Sequence, residues 1–296
     1  HPEDTVDVVM LGSSHIHCNI DPGLLYHDYG IAAYNYSAAA QPLWNTYHYL
    51  IEFCKYQKPK LVVLDLYSPA VLKEDFQYEW LRQNLYGVRF SPNKLRMLFV
   101  STEQEVRADY FPSFFFYHDR LGELKKEDFL FPFTKYRTLP VYKGFAPYFE
   151  TRPQERPQEK VSESGGLTPK SELYLKKIID YTKQNDIPLL LIVAPYAAPP
   201  EHEMVYNRIR EIAEAEGIEY LSCNEHTDAI GLDYATDFHD LDHLNYKGAE
   251  KFTHYLAGEL RRRYDLPDRR GDGRYAGWEA YYHEMREHIR ENAPAE

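Results

Sequence analysis

Two short stretches of this sequence carry the residue types of acyl-transfer chemistry: Gly12-Ser13-Ser14 after an apolar run near the start, and Asp240-Leu241-Asp242-His243 near the end. A serine hydroxyl becomes a useful nucleophile when an imidazole takes its proton. That imidazole needs a carboxylate on its other nitrogen to fix its tautomer. Asp240 and His243 sit three residues apart, so on one short loop or helical turn they face the same way. The reading is therefore Ser14 as nucleophile, His243 as general base and Asp240 as the group that orients it. Asp237 and Asp242 are rival acids, and Asp240 is preferred because it lies one turn from the histidine. A serine on a strand-to-helix turn also finds free backbone N–H groups, its own first, to hold an oxyanion. The plain alternatives are that Ser14 and Asp240 only cap helices and that His243 is a surface residue.

Other reactive side chains compete less well. His15 and His17, with His239, Asp240 and His243, offer metal-ligand types, but the serine reading uses the same placement with fewer coincidences. No metal site is expected. Next to Ser14, His15 is a candidate pocket-lining or hydrogen-bonding residue, and His118 and Arg120 are candidate substrate contacts from the middle of the chain. Neither a Gly-x-x-x-x-Gly-Lys loop nor a Gly-x-Gly-x-x-Gly turn is present, so no nucleotide cofactor is expected, and no cofactor of any kind. Arg261-Arg262-Arg263 reads as the cationic end of a helix. Cys18, Cys54 and Cys223 have no C-x-x-C spacing and read as free thiols.

The elements that must position these residues read as short β-branched runs alternating with helical spacing. Strands are expected at 6–11, 31–36, 61–66, 187–194 and 218–221, and helices at 43–57, 173–184, 205–216, 247–264 and 278–291. This alternation predicts an α/β fold, a three-layer α/β/α domain with a parallel five-stranded sheet, formed by residues 1–69 and 167–296. Residues 70–166 fit no alternation and read as an inserted aromatic-rich subdomain, closed by a polar, proline-containing mobile loop at 151–166. The last helix is expected to pack back through Trp278 and Tyr281. In an open parallel sheet, ligands bind beyond the carboxyl ends of the strands, where Ser14 falls.

Composition narrows the partners. A net charge of −12 argues against a protein that grips nucleic-acid phosphates. The 27 tyrosines and 15 phenylalanines, many of them between 76 and 149, suit a wet groove for sugars or acyl chains, or simply an aromatic core and rim. No apolar run reaches the roughly 20 residues that a membrane span needs.

The two chemical stretches, in their order, resemble the SGNH/GDSL hydrolases. In that superfamily a Gly-x-Ser turn follows the first strand, and an Asp-x-x-His block leads into the last helix. Asn35-Tyr36-Ser37-Ala38-Ala39-Ala40 looks like the second block, with Ala40 in place of the glycine that lends an N–H to the oxyanion hole. The resemblance thus implies Ser14 and Ala40 as oxyanion donors. The third block departs from the pattern, since Asp65-Leu66-Tyr67-Ser68-Pro69 lacks the asparagine donor; Tyr67 and Ser68 are the candidates to replace it or to touch substrate. The likeness covers residues 5–69 and about 170–260. Within the superfamily it is greatest to a bacterial cell-surface branch, the polysaccharide O-acetyltransferases and the D-alanine transfer proteins of teichoic acid synthesis. That likeness implies an esterase or acyltransferase flavodoxin-like in fold, acting on small acyl groups, acetyl above all, of an envelope carbohydrate. A membrane acyl-transfer partner and an extracytoplasmic location, with an N-terminal anchor outside this chain, are the accompanying expectations. A binding or assembly protein that kept the fold without the chemistry is the alternative.

Overall fold

The computed structural model describes residues 2–110, 143–157 and 161–294. Its strands are β1 (Val8–Leu11), β2 (Ala33–Asn35), β3 (Leu61–Asp65), β4 (Leu189–Val193) and β5 (Glu219–Ser222). Its helices, in chain order, are α1 (Ser14–Asn19), α2 (Pro22–Tyr29), α3 (Leu43–Phe53), α4 (Tyr67–Val71), α5 (Leu81–Tyr86), α6 (Pro92–Ser101), α7 (Pro169–Gln184), α8 (Pro200–Glu216), α9 (Thr227–Ile230), α10 (Tyr246–Arg263) and α11 (Ala276–Asn292).

All five strands run parallel, as the alternation predicts, and they lie in the order β2-β1-β3-β4-β5, the flavodoxin-like order. Every residue of β1, β3 and β4 is buried, which is why these strands read as unbroken apolar runs. Alternate side chains separate into two cores. Val9, Leu11, Val62, Leu64 and Leu191 meet α3, α7 and α8 on one face. Val8, Met10, Leu61, Val63 and Ile192 meet α1, α2 and α10 on the other. The result is the expected three-layer α/β/α sandwich.

Two helices start earlier than their apolar spacing. α7 begins at Pro169, capped by the Thr168 hydroxyl accepting from Ser171 N at 3.2 Å, and α8 begins at Pro200. In both, proline stands at the first turn, where its missing N–H costs nothing. The inserted residues 70–110 do not stand apart as a separate core. α6 packs along α3, and Leu81, Leu85, Val88, Met97 and Leu98 join the same core as the sheet's α3 face. The described residues of the expected mobile loop, 151–157 and 161–166, are hydrogen-bonded to the sandwich. Arg152 N donates to Phe238 O, Gln154 N to Tyr234 O, and Gly165 N to Met204 O. At the C-terminus, α11 lies on α2 with Trp278 buried, and its indole N–H donates to Ala33 O at 2.8 Å. The three cysteines are free thiols.

Candidate active site

β1 ends at Leu11, and the chain turns at Gly12 with φ +146°. A side chain there would press within 3.0 Å of the Asp65 Cβ, so the tight exit from β1 calls for glycine. Ser13 precedes α1, and Ser14 is its first residue. Neither the Ser14 nor the Ala40 N–H donates a hydrogen bond to any described residue. The Asn35 side chain fixes α1 from beneath by donating to Ile16 O at 3.0 Å and Ile20 O at 2.8 Å.

The loop before α10 brings its histidine to this turn. His243 Nε2 lies 2.8 Å from the Ser14 hydroxyl, and His243 Nδ1 lies 2.9 and 3.1 Å from the two Asp240 carboxylate oxygens. Asp240 Oδ1 also accepts from the backbone N–H groups of Asp242 and His243, each at 2.8 Å. Burial works against the Asp240 charge. The His243 contact and those two donors outweigh it and hold the carboxyl well below its ordinary range. The loop is tied to α1 by Leu244 N donating to the buried Asn19 Oδ1 at 3.1 Å. Of the rival acids, Asp237 pairs with Lys251 at 2.7 Å, and Asp242 faces the Tyr67 side chain.

Rings wall this dyad and its acid. The His243 ring meets His15 edge-on at 5.4 Å on one side and Tyr148 edge-on at 5.5 Å on the other. Tyr148 stacks on His239 at 3.9 Å, while His15 stacks on Tyr67 at 3.7 Å and meets Tyr196 edge-on. His15 is fully buried, and this burial together with the nearby His243 pulls it well below its ordinary pKa. The same two causes bring His17 down to about 4. Both rings are thus neutral aromatic surfaces beside the base. Past Tyr196 opens a cavity of about 840 Å³ whose lining includes Ala198, Glu203, Asn224 and Tyr234.

On the other side, the loop after β2 carries Ala40. His17 Nδ1 lies 3.1 Å from Ser37 Oγ, which ties α1 to this loop. Ala40 adopts φ +42°, the left-handed region, which costs an alanine about 1–2 kcal/mol and a glycine almost nothing.

The structure brings Ser14, His243 and Asp240 together and sets Ala40 on the neighbouring strand's exit. It corrects two readings. His15 and Ser68, candidates to touch substrate, are closed off from solvent at 0 % and 2 % exposure, because His15 is packed between rings and Ser68 lies on the buried side of α4. The half-buried ring of Tyr67 borders the site, and its N–H donates to Asp65 Oδ2 at 3.1 Å. His118 and Arg120 lie outside the described residues. Among the described residues, no group of three or more His, Cys, Asp or Glu is arranged to hold a metal ion, and no helix is long and apolar enough to cross a membrane. Asn19, Tyr148 and Tyr196 were not singled out from the sequence, and no local pattern marks them.

No protein-family model matches the chain, and no curated protein matches it significantly.

Proposed function

We propose that the protein is a serine-dependent acyl-ester hydrolase or O-acyltransferase that works through an acyl-Ser14 intermediate. The observation that carries this reading is the unbroken line from Asp240 through both nitrogens of His243 to the Ser14 hydroxyl, with contacts of 2.9 and 2.8 Å. It lies where a parallel sheet exposes strand ends to ligand.

The chemistry follows from those contacts. His243 Nε2 takes the Ser14 proton as Oγ attacks the ester carbon, and the N–H groups of Ser14 and Ala40 receive the carbonyl oxygen as it gains negative charge. Asp240 stays ionised, accepting a hydrogen bond from Nδ1–H and stabilising the imidazolium. Collapse returns the proton from Nε2 to the departing alcohol oxygen and leaves Ser14 acylated. Water or a sugar hydroxyl then attacks the acyl carbon as its proton passes to Nε2, and collapse breaks the bond to Ser14 Oγ while Nε2 returns that proton to it, restoring the free hydroxyl.

The resemblance to the cell-surface SGNH branch favours acetyl or another small acyl group, and an envelope carbohydrate as donor or acceptor. The polar cavity beyond Tyr196 suits a hydroxyl-rich ligand. A membrane acyl-transfer partner and an extracytoplasmic location belong to the same proposal.

The test is intact-mass spectrometry of wild type and Ser14→Ala after exposure to a serine-directed fluorophosphonate, with p-nitrophenyl acetate turnover followed in parallel. An adduct and turnover in wild type alone are expected. With neither in either protein, the esterase reading falls. A carbohydrate-binding role is then favoured by glycan affinity that is equal in the two proteins. The absent third-block asparagine, with the Tyr67 N–H already bonded to Asp65, is the observation behind that second reading.

A further inference from the structure

We infer that Asn84, on the inserted helix α5, is a positioning residue that aims the oxyanion donor at Ala40. The inference rests on the acyl-Ser14 reading and adds to it a residue from outside the segments that resemble a known family.

A trans peptide points its C=O and N–H in opposite directions. The Ala39 carbonyl and the Ala40 N–H belong to one such peptide, so whatever holds the carbonyl sets the direction of the donor. Asn84 Nδ2 donates to Ala39 O at 3.0 Å. The Ala40 N–H is thereby turned away from α5, and it has no partner among the described residues. Ala40 is also in the left-handed region that an alanine leaves readily, so this peptide needs an anchor to stay as it is.

The anchor is itself held from all sides. Asn84 is 1 % exposed. Its Nδ2 donates a second bond to Trp80 O at 3.0 Å, and its Oδ1 accepts from Asn45 Nδ2 at 3.3 Å. Asn45 Oδ1 in turn accepts from Ser101 Oγ at 2.5 Å, and the Asn84 carbonyl accepts from Tyr49 OH at 2.7 Å. This buried chain crosses α6, α3 and α5 and ends on one peptide of the oxyanion loop. A fully satisfied buried network fixes geometry in the way a lone contact on a loop does not.

The experiment compares wild type, Asn84→Asp and Asn84→Ala, each checked for a native circular-dichroism spectrum and melting transition. The aspartate keeps the shape and the acceptor for Asn45, but while ionised it cannot donate to Ala39 O. At pH 8 we expect Asn84→Asp to lose about 10–100-fold in kcat on p-nitrophenyl acetate, with KM within about twofold, and to lose a similar factor in the rate of Ser14 phosphonylation. Its kcat relative to wild type should recover as pH falls and the introduced carboxyl regains a proton to donate. A merely structural asparagine gives no such recovery. Folded variants within twofold of wild type at pH 8 overturn the inference and leave the acyl-Ser14 reading standing. A wild type that takes no fluorophosphonate overturns both. Where the variants do not fold, the Ala40 amide of wild type decides by NMR: a downfield proton shift on phosphonylation of Ser14 supports its role as donor, and an unmoved resonance overturns it.

Discussion

Asp240 carries two duties at once, which makes its replacement informative. Its carboxylate fixes the His243 tautomer, and Oδ1 also closes the loop by accepting from Asp242 N and His243 N. Asp240→Asn keeps an oxygen for the loop but offers an N–H or a neutral oxygen to Nδ1, so the imidazolium loses its counter-charge. Turnover of p-nitrophenyl acetate should fall about 10²–10⁴-fold in kcat while KM changes little; a loss below threefold would remove Asp240 from the proposed mechanism. Legibility in the sequence divides along the same line. Ser14, Asp240 and His243 could be read because their chemistry restricts residue type and their spacing is local. Asn19, Tyr148 and Asn84 could not, because each reaches the site across more than 40 residues of chain, by a hydrogen bond or a ring contact that no periodicity encodes. His15 and Ser68 show the converse: adjacency in sequence to a reacting or strand-end residue did not decide on which side of the packing a ring or hydroxyl would fall.

Elements were legible where burial imposes a period. Strands β1, β3 and β4 stand out because both their faces are covered, whereas the helix starts at Pro169 and Pro200 are set by caps and prolines ahead of the first apolar repeat. The insertion was harder, since α5 and α6 bury only one side each and expose Tyr86 and Phe99 on the other, with Phe90 exposed between them. How α11 attaches to α2 was visible only through Trp278 and Tyr281; its ionic clamp was not. Asp21, 1 % exposed, caps α2 by accepting from Gly23 N at 2.8 Å and Leu24 N at 3.4 Å, and it pairs with Arg286 of α11. Burial raises the Asp21 pKa against the pull of Arg286 and the two caps. Arg286→Met removes the only partner charge among those causes, so it should destabilise the fold by about 2–4 kcal/mol in urea titrations at pH 7.5. Asp21→Asn in that background should recover part of the loss, because asparagine caps a helix without a charge to bury. By contrast, Arg156→Ala, which breaks an exposed pair with Asp228, should leave the urea midpoint close to that of wild type.

At the scale of the whole molecule, the carboxyl edge of the sheet is also a titrating structure. Asp65 ends β3 with 0 % exposure, and its two oxygens accept from Ala194 N beyond β4 at 3.2 Å and from Tyr67 N at 3.1 Å. Burial pushes its pKa from 3.8 up to about 7, although the backbone donors favour the charge. Between those two pH values the folded protein therefore holds a proton that the unfolded chain has released. Stability from this group is complete below about pH 4, falls as pH rises towards 7, and is level above it. His15 and His17 act in the opposite sense. Their pKa values are depressed by burial, so their contribution is present above 6.5 and is lost as pH falls, for His17 through about 4. The wild-type profile sums these opposed slopes, and only a difference isolates Asp65. Asp65→Asn cannot ionise, so its unfolding free energy minus that of wild type should rise from pH 4 to pH 8 by something on the order of 2–4 kcal/mol. That trend should appear whatever constant cost the amide incurs by facing one of the two N–H groups with its own NH₂. A difference independent of pH in urea titrations at pH 4, 6 and 8 would mean that Asp65 titrates in the native state as it does in the unfolded chain, and that the β3–β4 edge is open to water.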